Sequence, residues 1–501
     1  MNIYTKTKNG LRVFSRAIAL SIVVLTLGGI SDAQTGTPAG QTVKGAELKG
    51  RAPVSKEILQ VKLPKAQEAT LKNGLRVVLL ENHKVPTVSM QMVVLSGGLS
   101  DPSDRRGLAT FTASLLREGT QTRTSRQIAE QIDALGATLT ANSGLSAFTT
   151  NVSASGLVEN LDGTLDIFAD VIRNPKFPQE EVDKFKTRQI SQLQAQRAIP
   201  QFLAAERFQR AIYGEHPGAL VSPSLESIRG LTTESLANFH AQNFLPNNAI
   251  LAVVGDVTMK DLMPKLESEF GDWKAGKAVN TIYGTVPKQG ASKIYLIDRP
   301  GSVQTVLQLG TLGIERTSPD YFGMLVMNRI FGGGPSARLF MNLREDKGYT
   351  YGAYSSFGGS KFPGTVLASS EVRTDVTDGA MKEFMYEINR IRDEKVSAVE
   401  LENAKRALIG SFALSLEQPQ ALLQNIITQK LYDLPADYWD SYPQKVMAIN
   451  ADDVQNIAKK YLDTGHLQIV AVGDASKVRA PLAKYGTLEV YDVEGKTVAN
   501  P

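Results

Sequence analysis

The sequence predicts an α+β protein made of two homologous sandwich domains, each a largely antiparallel sheet with helices on one face, joined by a linker. Two observations carry this. Ala252-Val253-Val254-Gly255-Asp256 is echoed by Val470-Ala471-Val472-Gly473-Asp474 about 220 residues later, a domain-sized offset far beyond the roughly 20 to 50 residues of a solenoid repeat. Each copy also closes the same local order: a polar helix (Glu234 to Gln242; Asp453 to Lys460), a break (Pro246-Asn247-Asn248; Asp463-Thr464-Gly465), then a short apolar strand. At 501 residues the chain is too long for a single core.

The elements follow from the N-terminus. Lys6, Lys8, Arg12 and Arg16, the apolar stretch Ala17 to Gly29 and the small residues Ser31-Asp32-Ala33 read as an export signal at 1–33, with cleavage before Gln34. The alternative, an uncleaved anchor, needs an apolar run of about 20 residues, longer than this one. A leader rich in Gly, Thr, Ala and Pro occupies 34–64. The first domain is expected over 65–273. It opens with a hairpin from Glu68 to Leu80 that turns at Asn73-Gly74, followed by a strand from Val88 to Leu95. Leu108, Phe111, Leu115 and Leu116 have helical spacing, and Ser125 is placed to cap a helix with the stripe Ile128, Ile132 and Leu135 that Gly136 ends. Strands near Ala137 to Ala141 and Phe148 to Ala154 precede helices from Leu157 to Ile172 and Glu180 to Gln196.

Lys274 to Ser292 holds glycines and Pro287 without helical periodicity, which makes 274–292 the linker. The second domain, 293–490, replays the first. Its strands are Lys293 to Ile297, Val303 to Gly310, Tyr351 to Phe357 and Thr365 to Glu371. Its helices are Tyr321 to Ile330, Ser336 to Asp346, Asp375 to Glu394 and Ala398 to Leu416.

Composition excludes several functions. Removing residues 1–33 removes four basic residues and Asp32, which leaves the chain near neutrality and without support for nucleic-acid or membrane-surface binding. Cysteine is absent, and with it disulfides, thiolate catalysis, cysteine metal sites and a lipid-bearing cysteine. The four histidines, His83, His216, His240 and His466, lie far apart, so no helix carries a two-histidine zinc pair. His83 reads as exposed, His216 as part of a loop after a helix, and His240 and His466 as structural.

A set of ordered landmarks then emerges. They are Leu71-Lys72-Asn73-Gly74-Leu75-Arg76-Val77, Gly107-Leu108-Ala109, Glu118-Gly119-Thr120, Tyr213-Gly214-Glu215-His216-Pro217 and Val253-Val254-Gly255-Asp256. In the second half they are Phe331-Gly332-Gly333-Gly334 and Leu343-Arg344-Glu345 through Gly348-Tyr349-Thr350-Tyr351-Gly352. From about Lys65 to Lys484 the chain resembles the pitrilysin-type (M16) zinc metallopeptidases, whose subunits are paired α+β domains. In active members Gly-Leu-Ala is followed by His-x-x-Glu-His. Here those five positions read Thr110-Phe111-Thr112-Ala113-Ser114, and the family's third ligand, a glutamate, falls near Gln189 to Gln192. The resemblance therefore implies that Thr110, Ala113, Ser114, Gln189 and Gln192 are degenerate metal positions and that this chain holds no cofactor.

In two-subunit members one subunit carries the zinc motif and the other offers an arginine and a tyrosine from its second domain. Arg344 and Tyr351 match those positions. A guanidinium and a phenol suit stabilisation of the oxyanion formed on a peptide carbonyl. Read without the resemblance, Arg344 caps a helix C-terminus and Tyr351 is a strand aromatic. The run Gly332-Gly333-Gly334 lacks the ending of a phosphate loop; it reads as a helix stop before Ser336, the cap of the next helix, and as a place where a peptide passes close to backbone. The expectation is an exported, periplasmic, non-zinc-binding subunit that pairs with a zinc-bearing homologue and acts on peptides or unfolded segments. The rivals are a scaffold without catalytic contribution and a peptidase with an unrecognised metal site.

Overall fold

The computed structural model describes residues 61–278 and 284–498. The expected signal, most of the leader and residues 279–283 of the linker lie outside the described residues.

The first sheet begins with a hairpin of β1 (Gln67–Thr70) and β2 (Arg76–Glu81). Gly74 turns it at φ 91°, a conformation that disfavours side chains, and Asn73 Nδ2 ties the turn to the Phe270 carbonyl at 2.6 Å. Next come β3 (Thr87–Val94), α1 (Leu108–Leu115), α2 (Ser125–Ala134), β4 (Thr138–Ser143) and β5 (Thr150–Leu157). They lead to α3 (Leu161–Arg173), α4 (Gln179–Arg197), α5 (Pro200–Tyr213), α6 (Leu225–Arg229) and α7 (Thr233–Asn243). Strand β6 (Ala249–Gly255) and α8 (Met259–Phe270) complete the half. The strand order is β1-β2-β6-β3-β5-β4, antiparallel except for the β2–β6 pair.

The second half contains β7 (Lys293–Asp298), β8 (Gln304–Leu312), α9 (Tyr321–Phe331), the single turn α10 (Arg338–Phe340) and a π-helical turn, Met341–Asp346. It continues through β9 (Thr350–Gly359), β10 (Pro363–Arg373), α11 (Thr377–Asp393), α12 (Ala398–Ser415), α13 (Pro419–Leu431), α14 (Tyr442–Ala448) and α15 (Ala451–Tyr461). It ends in β11 (Gln468–Gly473), α16 (Ala475–Leu482) and β12 (Thr487–Tyr491). The order β12-β7-β11-β8-β10-β9 repeats that of the first sheet, with one change. The outer strand beside β7 is the last of the chain and runs parallel to it, whereas β1 precedes β2 and runs antiparallel.

The repeated pentapeptides are therefore the central strands β6 and β11, buried along their whole length. Full burial means that each sheet is covered on both faces: helices of its own half lie on one, as expected, and the other is covered as well. One face of each sheet packs on its own half's helices: Met90, Met92 and Leu251 with Phe168 and Phe270, and Leu307 and Leu309 with Phe331 and Phe384. The other face is covered by a helix from the opposite half. Leu203, Ala204, Phe208 and Ile212 of α5 pack on Ile297, Val306, Val470 and Val472 of the second sheet. Leu422, Leu423, Ile426 and Ile427 of α13 pack on Val78, Leu80, Val93, Ile250, Ala252 and Val254 of the first. Gly310 makes room for this exchange, because a Cβ there would lie 2.6 Å from the Phe208 ring.

Two caps differ from expectation. Thr124, not Ser125, caps α2 in a reciprocal box with Gln127, while the Ser125 hydroxyl donates to Glu118 at 2.8 Å. Ser336 caps nothing; α10 starts after Ala337 without a side-chain cap. The described parts of 274–292 contain neither helix nor strand. Among the described residues no helix is long and apolar enough to cross a membrane.

Candidate functional site

Two places deserve comparison: the expected remnant of a zinc site on α1 and α4, and the Arg344–Tyr351 corner of the second sheet. Helices α1 and α4 do pack together, with the Phe111 and Phe185 rings edge to face at 5.6 Å. Thr110, Ala113 and Ser114 lie on α1, and Gln189 and Gln192 on α4. The Ser114 hydroxyl is turned to its own helix, donating to the Thr110 carbonyl at 2.8 Å. Ala113 is buried and offers a methyl group. The two glutamine amides face each other at 3.5 Å. Threonine hydroxyl, alanine methyl and neutral amides are not the imidazoles and carboxylates that hold zinc, so these residues do not fit the ion. Among the described residues, no group of three His, Asp or Glu side chains stands where it could hold a metal.

The histidines are accounted for individually. His83 is exposed and pairs with Asp256 at 2.6 Å, which with its other contacts raises its pKa above the usual value. His216 is buried, accepts from Gly218 N–H at 2.9 Å through Nδ1 and lies 4.9 Å from the Phe362 ring. His240 Nε2 contacts the Ile172 carbonyl at 2.7 Å while its ring stacks on Phe244; burial pushes its pKa down to about 4. His466 pairs with Asp463 at 2.7 Å.

Arg344 sits in the π-helical turn and has three contacts, the first being its Nε with the Glu345 carboxylate at 3.3 Å. Its guanidinium carbon lies 4.9 Å from the Phe340 ring centroid, and Nη1 donates to the Tyr351 carbonyl at 3.0 Å. It therefore does not cap the helix whose end it occupies. Gly348, at φ 64°, reverses the chain between the two residues, and its N–H donates to the Arg344 carbonyl at 3.1 Å. Tyr351, the second residue of β9, is 88% exposed, an unusual position for an aromatic residue. Tyr354 and Met341 are exposed nearby on the same strand and turn. The backbone beneath Tyr351 is fixed: the Thr350 hydroxyl donates to the Glu371 carbonyl at 2.6 Å, and the Ser370 hydroxyl to the Gly352 carbonyl at 2.9 Å. A rigid strand thus presents a free phenol beside a guanidinium whose position is set by that strand's own backbone.

β9 is the outer strand of its sheet, and this arrangement closes part of its edge. Arg344 occupies the Tyr351 carbonyl, and the Gly332 carbonyl accepts from Ser355 N–H at 2.9 Å. A Cβ on Gly332 would lie 2.4 Å from the Ser355 nitrogen. The first of the three glycines is thus required by the close approach of α9's end to β9. A Cβ on Gly333 would lie 2.9 Å from the Arg329 Cα and the Asn328 carbonyl, and the Arg329 Nη1 donates to the Gly333 carbonyl at 2.6 Å; at Gly334 a Cβ would meet only the movable end of the Arg329 side chain. At all three glycines the space a Cβ would take is filled by this chain's own atoms. β4, the matching outer strand of the first sheet, is treated alike: Arg117, just past α1, donates to its Leu139 carbonyl.

Sequence reasoning missed Asn342, two residues before Arg344. Its Nδ2 donates to Glu383 and to Glu387, each at 2.9 Å, and it is buried. The available signal was the i, i+4 pair Arg338 and Asn342 on the face that also buries Leu339 and Leu343, a placement that demands polar partners from a neighbouring helix.

Residues 76–220 match the family model described as Insulinase (Peptidase family M16), and residues 230–408 the one described as Peptidase M16 inactive domain. A Bacillus subtilis protein described as an uncharacterized zinc protease is 25% identical over 393 residues, covering 78% of this chain and 94% of the relative. A Rickettsia felis protein of the same description is 28% identical over 402 residues, covering 78% and 93%. Among solved structures, a peptidase M16 inactive domain from Pseudomonas fluorescens superposes with a TM-score of 0.76 at 26% identity, covering 82% of this chain and 98% of that one. A Helicobacter pylori protease gives the same TM-score at 20% identity, a likeness of fold.

Proposed function

Since this chain belongs to the M16 peptidase family, we propose that it is the non-zinc-binding subunit of an exported, periplasmic M16 peptidase. It pairs with a zinc-bearing homologue and completes that partner's active site with Arg344 and Tyr351. The carrying observation is that Arg344 is fixed on the Tyr351 carbonyl while the Tyr351 phenol stands in solvent, on a second domain whose sister domain lacks zinc-ligand residues. The partner's zinc would supply an activated water. This chain's part is to hold donors where charge develops: the remaining guanidinium N–H groups and the phenol O–H stabilise the oxyanion or clamp the substrate backbone. The substrates are peptides or unfolded segments bound extended.

The test is co-expression with a homologue that retains His-x-x-Glu-His, followed by a quenched-fluorescent peptide assay of each chain alone and together. Arg344→Ala and Tyr351→Phe should leave assembly intact and lower turnover by about 100- to 1,000-fold, the typical loss for one preorganised oxyanion donor. Arg344→Lys keeps the charge but loses the planar fork and should also fail. Wild-type turnover from an assembled Arg344→Ala/Tyr351→Phe complex would refute the active-site role and leave a scaffold.

A further inference from the structure

We propose that Asn342, clasped by Glu383 and Glu387, is a positioning residue that holds the turn carrying Arg344 in the geometry needed for catalysis, an inference that rests on the active-site reading of Arg344. The turn Met341–Asp346 is π-helical, a conformation with poorer packing than the α-helix that persists where something enforces it. Here the enforcement is visible. Both Asn342 contacts run to α11, where Glu387 is 2% exposed and is itself faced by Arg390 at 3.4 Å. Lys347, which closes the turn, donates its N–H to the Asn342 carbonyl at 3.0 Å, and its ammonium lies 3.3 Å from Glu383. At the other end the buried Arg338 makes a bidentate pair with Glu400 of α12, both bonds 2.7 Å.

The turn is thus fastened to α11 at Asn342 and Lys347, and the short helix that leads into it to α12, while Arg344 projects toward β9. The side chain at 342 must be a double donor that carries no charge. An aspartate would put a third carboxylate against two, and a leucine would take one donor from each, leaving Glu387 to Arg390 and Glu383 to Lys347. Asn342 touches neither Arg344's guanidinium nor Tyr351, so its effect on turnover passes through the backbone of the turn.

The experiment compares turnover of a quenched-fluorescent peptide by complexes with the zinc-bearing homologue, each checked for assembly and melting temperature. Asn342→Asp should lower kcat by up to about 100-fold, the cost of roughly an ångström of misplacement, with KM changed far less. Adding Glu387→Gln restores one donor–acceptor pair and should recover most of that loss. Arg344→Ala/Asn342→Asp should be no slower than Arg344→Ala, because placement ceases to matter once the arginine is absent. Glu383→Ala, a half-buried and milder change, should lower kcat several-fold and serves if Asn342→Asp does not assemble. In the isolated chain, NMR exchange of the Arg344 side-chain N–H protons should be faster in Asn342→Asp and Glu383→Ala than in wild type.

Wild-type kcat for Glu383→Ala, or additive losses in the double variant, while Arg344→Ala is impaired, would overturn the positioning role and leave the proposed function standing. Wild-type turnover for Arg344→Ala would overturn both.

Discussion

Truncating the exchanged helices should destabilise both halves of the protein at once. Ile427 is 1% exposed on α13, between its own half of the chain and the first sheet, and Phe208 is 1% exposed on α5 against the second. Ile→Ala in a packed core costs about 2–5 kcal/mol and Phe→Ala about 3–5 kcal/mol, from lost transfer energy and the cavity left behind. With an unfolding entropy of about 2.1 cal/mol/K per residue, a loss of ~3 kcal/mol lowers Tm by about 3 °C if the ~430 folded residues unfold together. The same loss confined to one half would lower that half's Tm by about 6 °C, because the entropy involved is halved. Calorimetry of wild type, Ile427→Ala and Phe208→Ala measures this directly. The expected result is one transition in all three proteins, displaced by the smaller amount. Two resolved transitions, with each variant moving one of them by the larger amount, would refute the idea that the exchange makes the halves a single cooperative unit.

His240 has its pKa pushed down to about 4 by burial, so its contribution to stability is complete above pH 6.5 and is lost as pH falls toward 4; His240→Gln should flatten that acid limb. Asp101 behaves oppositely. Its carboxylate accepts from Gly107 and Ala109 N–H at the start of α1, yet burial raises its pKa to about 7. Its contribution is therefore complete below pH 4 and lost as pH rises to 7, and Asp101→Asn should remove that fall, flattening stability across the window in urea titrations at fixed pH. For the proposed absence of zinc from this subunit, a chelator should leave the isolated chain's Tm unchanged; a drop of several degrees would contradict it. Mature protein recovered from the source should begin near Gln34 in the soluble exported fraction, and full-length chain in the membrane pellet would favour an anchor.

Much of the fold was legible because local signals and the repeat agreed. Asn73-Gly74 turns the expected hairpin, and the two pentapeptides lie on equivalent central strands. What escaped was long-range. The apolar residues of α5 and α13 show that each helix buries a face, but nothing local says that the covered sheet belongs to the other half. Adjacent hydroxyls at Thr124 and Ser125 are equally good caps by type, and the choice was made by Glu118, which engages Ser125. At the candidate site, the seven-residue spacing of Arg344 and Tyr351 across Gly348 could be read from the chain. Their link through the Tyr351 backbone carbonyl could not, since a sequence shows side chains and not which carbonyls a sheet edge leaves open.

The two outer strands give the divergence of the halves a physical form. In each sheet an arginine occupies a carbonyl of the outer strand: Arg117 on β4 and Arg344 on β9. On β4 the neighbouring helices α1 and α4 present hydroxyl, methyl and amide groups, which neither hold a metal nor activate water. On β9 the arginine is bonded to the carbonyl of a tyrosine whose phenol is almost wholly exposed, and its turn is fastened to α11 by the buried Glu387 and the half-buried Glu383. Burying Glu387 and Arg338 beneath a solvent-exposed turn is costly unless each finds its partners, and a plain surface loop would not require it. That investment around Arg344, against hydroxyls and amides at the zinc positions, is the reason to assign the chain's chemical contribution to its second half.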